Sequence, residues 1–469
     1  MSTQPMPKDA LLASLLQPWP ESLLPTIQQQ LAAGQRSLIV LDDDPTGTQT
    51  VYDLPVLTEW TVATLRAELA LGTPTFYILT NSRSLPLPAA QELNAEIGRN
   101  LLAAAQATGR DFAVVSRSDS TLRGHYPGET DALTAALGQQ VDATLIIPFF
   151  LEGGRFTIND VHYVAEGDQL VPAAATPFAR DAAFGYHNSD LRAWVEEKTA
   201  GRVAAAAVAS ITIDDVRLGG PDAVAQKLLN LPTGSVCIVN CAGTRDMEVF
   251  VSGLLKAEAA GRHFLYRTAA TFVQVRAGLA PRAPLTAADL NLPTTGGGLI
   301  VVGSYVPKST TQLNALLAQP DLVQVEVNVD ALLDDGQQAG EVARTIAVTT
   351  NALQRGQDVV VYTSRRLITG ADAVSSLAIG QRVSASLVAL VQGLGVRPRY
   401  LIAKGGITSS DLATKALGVK RALVRGQILP GIPLWEVGVE SRYPGLVYVV
   451  FPGNVGGDDA LVQARQKLR

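Results

Sequence analysis

Short runs rich in Val, Ile and Leu alternate along this chain with stretches whose apolar residues recur every three or four positions. Nothing else in the sequence limits the fold as much. SLIVLDD, TFYILT, DFAVVS and TLIIPFF have the length and apolar content of buried strands, and AAQELNAEIGRNLLAAAQAT, lying among them, has helical spacing. SVCIVNC continues the series and is followed by a helical stretch around DMEVFVSGLLKAEAAG. Strands separated by helices in this way build right-handed βαβ units, so the predicted class is α/β with largely parallel sheets.

At 469 residues the chain exceeds what a single core serves, and two α/β domains facing each other across a cleft are expected. The stretch APRAPLTAADLNLPTTGGG, residues 280–298, has no periodicity and is rich in Pro, Thr and Gly. It marks the expected boundary: one domain over 1–285, a linker over 286–298 and a second domain over 299–469. Beyond it LIVVGSY, LVQVEVNV, DVVVYTS, RYLIAKGG, RALVRG and LVYVVFPGN resume the strand pattern.

The net charge of −5 leaves no basic footprint for nucleic acid or an anionic membrane. The N-terminal stretch lacks the basic and apolar regions of a signal peptide, and no apolar run is long enough to span a bilayer. A soluble, cytoplasmic protein is expected. Cys237 and Cys241 share a strand face, which forbids a disulfide, and the four histidines are scattered without metal-ligand spacing.

Ligands collect at the carboxyl ends of strands in parallel sheets. In the first half those ends carry Asp42, Asp43 and Asp44 with Thr46 and Gly47, then Thr80–Ser84 with Arg83, then Ser116–Gly124 with Asp119 and Arg123, then Glu152–Arg155. Arginine forks suit carboxylate or phosphate, and hydroxyls with carboxylates suit a polyol, so the set describes a pocket for a small hydroxy acid. In the second half the strand ends are Gly303-Ser304, Gly405–Ser410 and Pro452–Asp459. Their glycines permit close approach of backbone to a phosphate tail. GSYVPKST lacks the glycine spacing of a P-loop, and there is no GxGxxG. A phosphoryl-transfer enzyme is the reading that uses both halves. An NAD(P)-dependent hydroxy-acid dehydrogenase and a non-catalytic sugar-acid sensor are the alternatives.

Six stretches resemble, in order, the signatures of the four-carbon acid sugar kinases: DDDPTGTQT, SDSTLRG, PFFLEGGRFTINDVHYV with TPFARD, GSYVPKSTTQL, KGGITSSDLATKALGV with PGIP, and PGNVGGDDAL. The resemblance implies an N-terminal sugar-acid domain, a C-terminal ATP domain, and phosphorylation of a hydroxyl, the terminal one by expectation, of a short sugar acid. It implies a substrate pocket lined by Asp43, Asp44, Asp119 and Arg123, with Arg83 and Arg155 in its wall and Asp42 and Thr46 beside them. Asp43 or Asp44 is the expected base. ATP contacts are implied for Ser304, for Gly405, Gly406, Ile407 and Thr408, and for Gly453, Asn454 and Gly456, with Mg²⁺ bridging the phosphates and no metal ligand assigned. The chain departs from the family pattern at Val306, Ile407 and Phe451, and in carrying Asp42 and Pro45. The implied partners are a small sugar acid and ATP; a homo-oligomer is compatible with them.

Overall fold

The computed structural model describes residues 4–34, 36–138, 141–366, 368 and 373–469. It divides into two compact units, the first formed by Met1–Gly47 with Glu59–Pro281 and the second by Thr48–Thr58 with Arg282–Arg469. In chain order the strands are β1 (Met6–Pro7), β2 (Ser37–Asp42), β3 (Leu54–Leu57), β4 (Thr75–Leu79), β5 (Phe112–Arg117), β6 (Ala143–Ile147), β7 (Arg155–Ile158), β8 (Val161–Glu166), β9 (Gln169–Pro172), β10 (Ala209–Ile211), β11 (Ser235–Val239) and β12 (Phe264–Thr268). After these come β13 (Leu299–Val302), β14 (Val323–Val327), β15 (Val359–Thr363), β16 (Tyr400–Lys404), β17 (Arg421–Leu429), β18 (Ile432–Val437) and β19 (Val447–Phe451).

The first unit has an all-parallel sheet in the order β10-β11-β6-β12-β5-β2-β4. Every residue of β2, β4, β5 and β12 is buried, which is why these segments read as continuous apolar runs rather than alternating ones. The helix Leu87–Thr108 buries Ala90, Ile97, Leu101 and Ala104 along one face. It starts with Pro in its first turn and stops at Gly109, whose φ of 67° is the left-handed geometry of a helix stop. Cys237 and Cys241 are buried and unbonded, as read from their spacing.

A small antiparallel sheet, β1-β9-β8-β7, was not anticipated by the βαβ alternation. Its signal is local: Asn159 and Asp160 join β7 to β8 with φ of 52° and 62°, the pair of left-handed residues that a tight hairpin needs.

The second unit's sheet runs β3-β17-β18-β19-β16-β13-β15-β14, antiparallel from β3 to β19 and parallel from there on. Its core gathers Ile300, Leu313, Ile402, Ile432, Val449 and Leu461, all fully buried. The boundaries differ from the compositional expectation in two places. Residues 286–298 are no free linker: Leu285 and Leu290 are buried in this core, and the Leu285 N–H donates to the Gln427 carbonyl at 2.7 Å. Residues 48–58 belong here too, because β3 pairs with β17, Thr58 N–H donates to Lys420 O at 3.0 Å, and Trp435 Nε1 donates to Thr48 Oγ1 at 3.1 Å. Composition registers neither, since both depend on partners far along the chain. Among the described residues no helix is long and apolar enough to cross a membrane.

Candidate functional site

In the first unit β4, β2 and β5 are parallel neighbours, so the loops that follow them open on one sheet edge. Thr80 N–H and Oγ1 both donate to Asp42 O at 2.9 Å, Arg83 N–H donates to Asp43 O at 3.2 Å, and Asp43 N–H donates to Arg117 O at 3.3 Å. These bonds stitch the three strand ends together and bring the sequence-predicted acids and arginines into one cluster.

The three consecutive aspartates then diverge. Asp42 is buried, and its carboxylate pairs with Arg117 Nη1 at 3.3 Å. Burial outweighs Arg117 and, with Asp43 and Asp44 nearby, pushes the Asp42 carboxyl up to about 7. The same carboxylate lies against Gly47, where an added Cβ would sit 1.9 Å from Oδ2. Asp42 therefore packs under the turn, buried at the carboxyl end of β2. Asp43 has both oxygens engaged: Oδ1 accepts from Arg83 Nη2 at 2.7 Å, and Oδ2 accepts from the Ser118 hydroxyl.

Asp44 takes the N–H of Thr46 at 2.8 Å and the Thr46 hydroxyl on Oδ1, so Thr46 serves as a cap for the turn. Its Oδ2 faces Arg83 at 3.5 Å, and the side chain is 25% exposed against 4% for Asp43. Burial acts to raise the Asp44 carboxyl, but Arg83, the Thr46 bonds and Arg117 outweigh it and hold the group below its ordinary value.

Beyond β5, Asp119 accepts from the Thr121 hydroxyl and from Arg123 Nε at 2.8 Å, and stands 3.9 Å from Arg83. Burial opposes its ionisation, yet Arg83 and Arg123 keep it well below the usual carboxylate range. Arg123 also reaches Asp181 at 3.6 Å. The guanidiniums of Arg123 and Arg155 lie 5.1 Å and 5.7 Å from the centre of the Phe178 ring. Arg83, Arg117 and Arg123 each have a carboxylate partner; Arg155 has none within ion-pair distance among the described residues, and its Nε is buried without an acceptor. Burial, with Arg123 close by, lowers its proton affinity.

Sequence reasoning missed the supporting layer. Arg117 and Ser118 stand at the end of β5, and Phe178 lies within TPFARD, with no local spacing to mark any of the three as part of the cluster. His162, fully buried, contacts Ser120 O at 2.8 Å and Thr157 Oγ1 at 3.0 Å; burial pushes it down to about 4, so it is a neutral strut. Gly124 has a φ of 121°, and a Cβ there would come within 2.6 Å of Ser118 Oγ and of Arg267. Only a glycine lets the chain pass so close to the Asp43 partner.

In the second unit β19, β16 and β13 are parallel neighbours, and the three predicted glycine loops follow their carboxyl ends. Ser309 Oγ donates to Ser304 Oγ at 3.0 Å and is within 3.0 Å of Gly453 O, which joins the first loop to the third. Gly405, at φ 117°, would place a Cβ 2.9 Å from Ser304 Cβ and 3.4 Å from Thr408 Oγ1, which joins the second loop to the first. Gly406 opens the short helix Gly406–Asp411, Ile407 is 59% exposed, and Thr408 is buried. Asn454 and Gly456 are exposed, and the Gln312 amide holds their loop through Val455 O at 3.0 Å and Gly457 O at 2.8 Å.

Lys404, the last residue of β16, was not anticipated. It is fully buried, its Nζ donates to Pro452 O at 2.5 Å and Gly453 O at 3.1 Å, and it lies 4.2 Å from the centre of the Phe451 ring. Burial, with Lys308 adding to it, pushes this ammonium down to about 7. No group of three or more His, Cys, Asp or Glu that could hold a metal occurs among the described residues.

Residues 38–276 match the family model described as "Sugar-binding N-terminal domain", and residues 299–461 match "Nucleotide-binding C-terminal domain". A 3-oxo-isoapionate kinase of Paraburkholderia graminis is 25% identical over 292 residues, 58% of this chain and 59% of that protein, so the chain spans less than two thirds of that relative's length. A D-threonate kinase of Cupriavidus necator is 26% identical over 381 residues, 79% of this chain and 83% of that protein. The crystal structure of Haemophilus influenzae protein HI1011, of the family model DUF1537, superposes with a TM-score of 0.63 at 17% identity, covering 92% of this chain and all of that one, and so shares the fold. With family models spanning both units, in the order that the sequence signatures require, the chain belongs to the four-carbon acid sugar kinase family.

Proposed function

We propose that this chain is an ATP-dependent kinase that phosphorylates a hydroxyl of a four-carbon acid sugar or a closely related short sugar acid. The observation that carries this reading is the convergence of Ser304, Gly405 and Gly453 at the carboxyl ends of three neighbouring parallel strands, in a chain whose other unit holds the aspartate–arginine cluster. The names of the relatives, a D-threonate kinase and a 3-oxo-isoapionate kinase, support the same class.

In this reading Arg155 receives the carboxylate of the acid, because it is the guanidinium of the cluster that has no carboxylate of its own among the described residues. Asp119, held ionised, accepts from the sugar hydroxyls. Asp43 fixes Arg83, and Asp44, ionised and the more exposed of the two, takes the proton of the attacking hydroxyl. The new bond joins the substrate oxygen to the γ-phosphorus, the bond to the bridging oxygen of ADP breaks, and ADP leaves. Catalysis then rests on positioning and charge neutralisation. Mg²⁺, when bound with ATP, would supply charge neutralisation at the phosphates, and as a hard cation that retains waters it would need few protein oxygens.

The test is coupled ADP release with Mg-ATP over D- and L-threonate, D- and L-erythronate, their 3-oxo forms, a branched five-carbon acid, and the matching tetritols, which lack the carboxylate. One acid is expected to turn over, with its tetritol at least about tenfold poorer in kcat/KM. Silence across the panel together with no ATP binding would refute the kinase reading. Equal turnover of acid and tetritol would remove Arg155 from the carboxylate.

A further inference from the structure

The cations around the glycine loops of the second unit can be accounted for one by one. Lys308 is paired with Asp458 at 2.9 Å, Arg366 with Asp330 at 2.7 Å, and Lys404 is spent on the carbonyls of Pro452 and Gly453. Arg365 remains. It stands two residues beyond the end of β15, and β15 is the parallel neighbour of β13, whose carboxyl end leads into Ser304. Its Nη2 donates to Ser304 O at 2.7 Å and to Thr310 Oγ1 at 2.8 Å, which fixes the guanidinium beside that loop.

The rest of the fork has nothing to do. Nε and Nη1 of Arg365 are both buried, and neither has a hydrogen-bond partner among the described residues. No carboxylate among the described residues stands within ion-pair distance, and burial alone acts on the group, lowering its proton affinity. If Arg365 served only to tie Ser304 to Thr310, Nη2 would suffice, and two buried donors would be left desolvated for no return. A guanidinium with two idle donors, held rigidly by its Nη2 at a glycine-rich strand end, offers each of them, Nε on one edge and Nη1 on the other, to a phosphate oxygen.

We propose that Arg365 is a phosphate-binding residue of the nucleotide subsite, contacting the phosphate tail and not the nucleoside. This rests on the nucleotide reading of the second unit. It goes beyond that reading by assigning a cation that none of the glycine-loop signatures contains, and it makes a phosphate tail, rather than the nucleoside, the part of the ligand that selects this subsite.

The experiment is calorimetric titration of the full chain and its R365M and R365K variants with adenosine, AMP, ADP and ATP. In the wild type, affinity is expected to rise with the number of phosphates. In R365M, ATP and ADP affinity should fall at least about tenfold while adenosine affinity holds, with R365K in between because it keeps the charge and loses the fork. If R365M fails to fold, R365K alone must show the same selective loss for the phosphorylated ligands. Unchanged ATP affinity in a folded variant, or an equal loss for adenosine and ATP, would overturn the assignment; the second outcome would make Arg365 a structural tie to Ser304. A wild type that binds none of the phosphorylated ligands would instead overturn the nucleotide reading, and Arg365 would fall with it.

Discussion

Asp42, Asp43 and Asp44 are chemically identical and adjacent, yet their surroundings give them different work. Asp42 packs under Gly47 and against Arg117, Asp43 is consumed by Arg83 and Ser118, and Asp44 keeps one oxygen turned toward Arg83 with part of its surface exposed. D44N keeps the shape and the Thr46 cap but cannot accept a proton. It is expected to lower kcat at least about a hundredfold while the melting temperature shifts by no more than a few degrees. A folded D44N with wild-type turnover in the coupled assay would show that the proton goes elsewhere. Lys404 makes a prediction about stability. Its folded value of about 7 lies below the ordinary 10.5 of the unfolded chain. Between the two the unfolded state binds more protons, so the contribution of Lys404 to stability is present above the higher value and is lost as pH falls through the lower one. Relative to K404M, which cannot titrate, the wild type should therefore gain stability on going from about pH 6.5 to about pH 9, by at most about 1.4 kcal/mol per unit crossed. Urea midpoints of both proteins at the two pH values measure this, and an offset that does not change with pH would contradict it.

Among the elements, the turn 42–47 shows how little room the cluster has. A Cβ on Gly47 would meet Asp42 Oδ1 at 2.1 Å as well as Oδ2, and that carboxylate is itself pinned by Arg117. G47A is expected to destabilise the first unit by about 1–3 kcal/mol and to depress activity by displacing the turn, read from denaturant melts alongside turnover. This turn, the Thr80–Ser84 segment and the Ser116–Gly124 segment were all legible in the sequence, because each follows an apolar run and the carboxyl end of a buried parallel strand is where chemistry collects. The glycine loops were legible for the same reason. What the sequence hid are the residues whose meaning lies in a distant partner. Arg117 matters through Asp42, Phe178 through Arg123 and Arg155, Lys404 through Pro452, and Arg365 through Ser304. No local spacing marks any of them. The Asn159-Asp160 hairpin was different: its signal stood in the text and was outweighed by the helical alternation around it.

For the whole molecule, the division into units is the lesson. The second unit begins at Arg282, inside the Pro-, Thr- and Gly-rich stretch, and also takes in Thr48–Thr58 from the first eighth of the chain, which composition does not register. A fragment of residues 282–469 therefore lacks β3 and leaves the β17 edge unpaired. It is expected to be about 2–4 kcal/mol less stable than the same fragment carrying residues 48–58 on a flexible linker, and to self-associate through that edge. Denaturant melts and size-exclusion chromatography would test both statements; equal stability of the two fragments would mean that β3 contributes nothing to the unit it pairs with.

The pairing of β3 with β17 also sets a schedule for making the protein. The Thr58 hydroxyl donates to the Val419 carbonyl, a partner 361 residues later in the chain. At bacterial or eukaryotic ribosome speeds that interval lasts roughly 20–70 s. For most of it the segment 48–58 has emerged from the ribosome while β17, its antiparallel partner within the second unit, has yet to be made. A nascent chain must hold this apolar segment, Leu54, Val56 and Leu57 included, out of wrong company until its last tenth is synthesised. Expression of this protein should accordingly be sensitive to slowed translation and to the supply of chaperones in a way that its folded stability does not foretell.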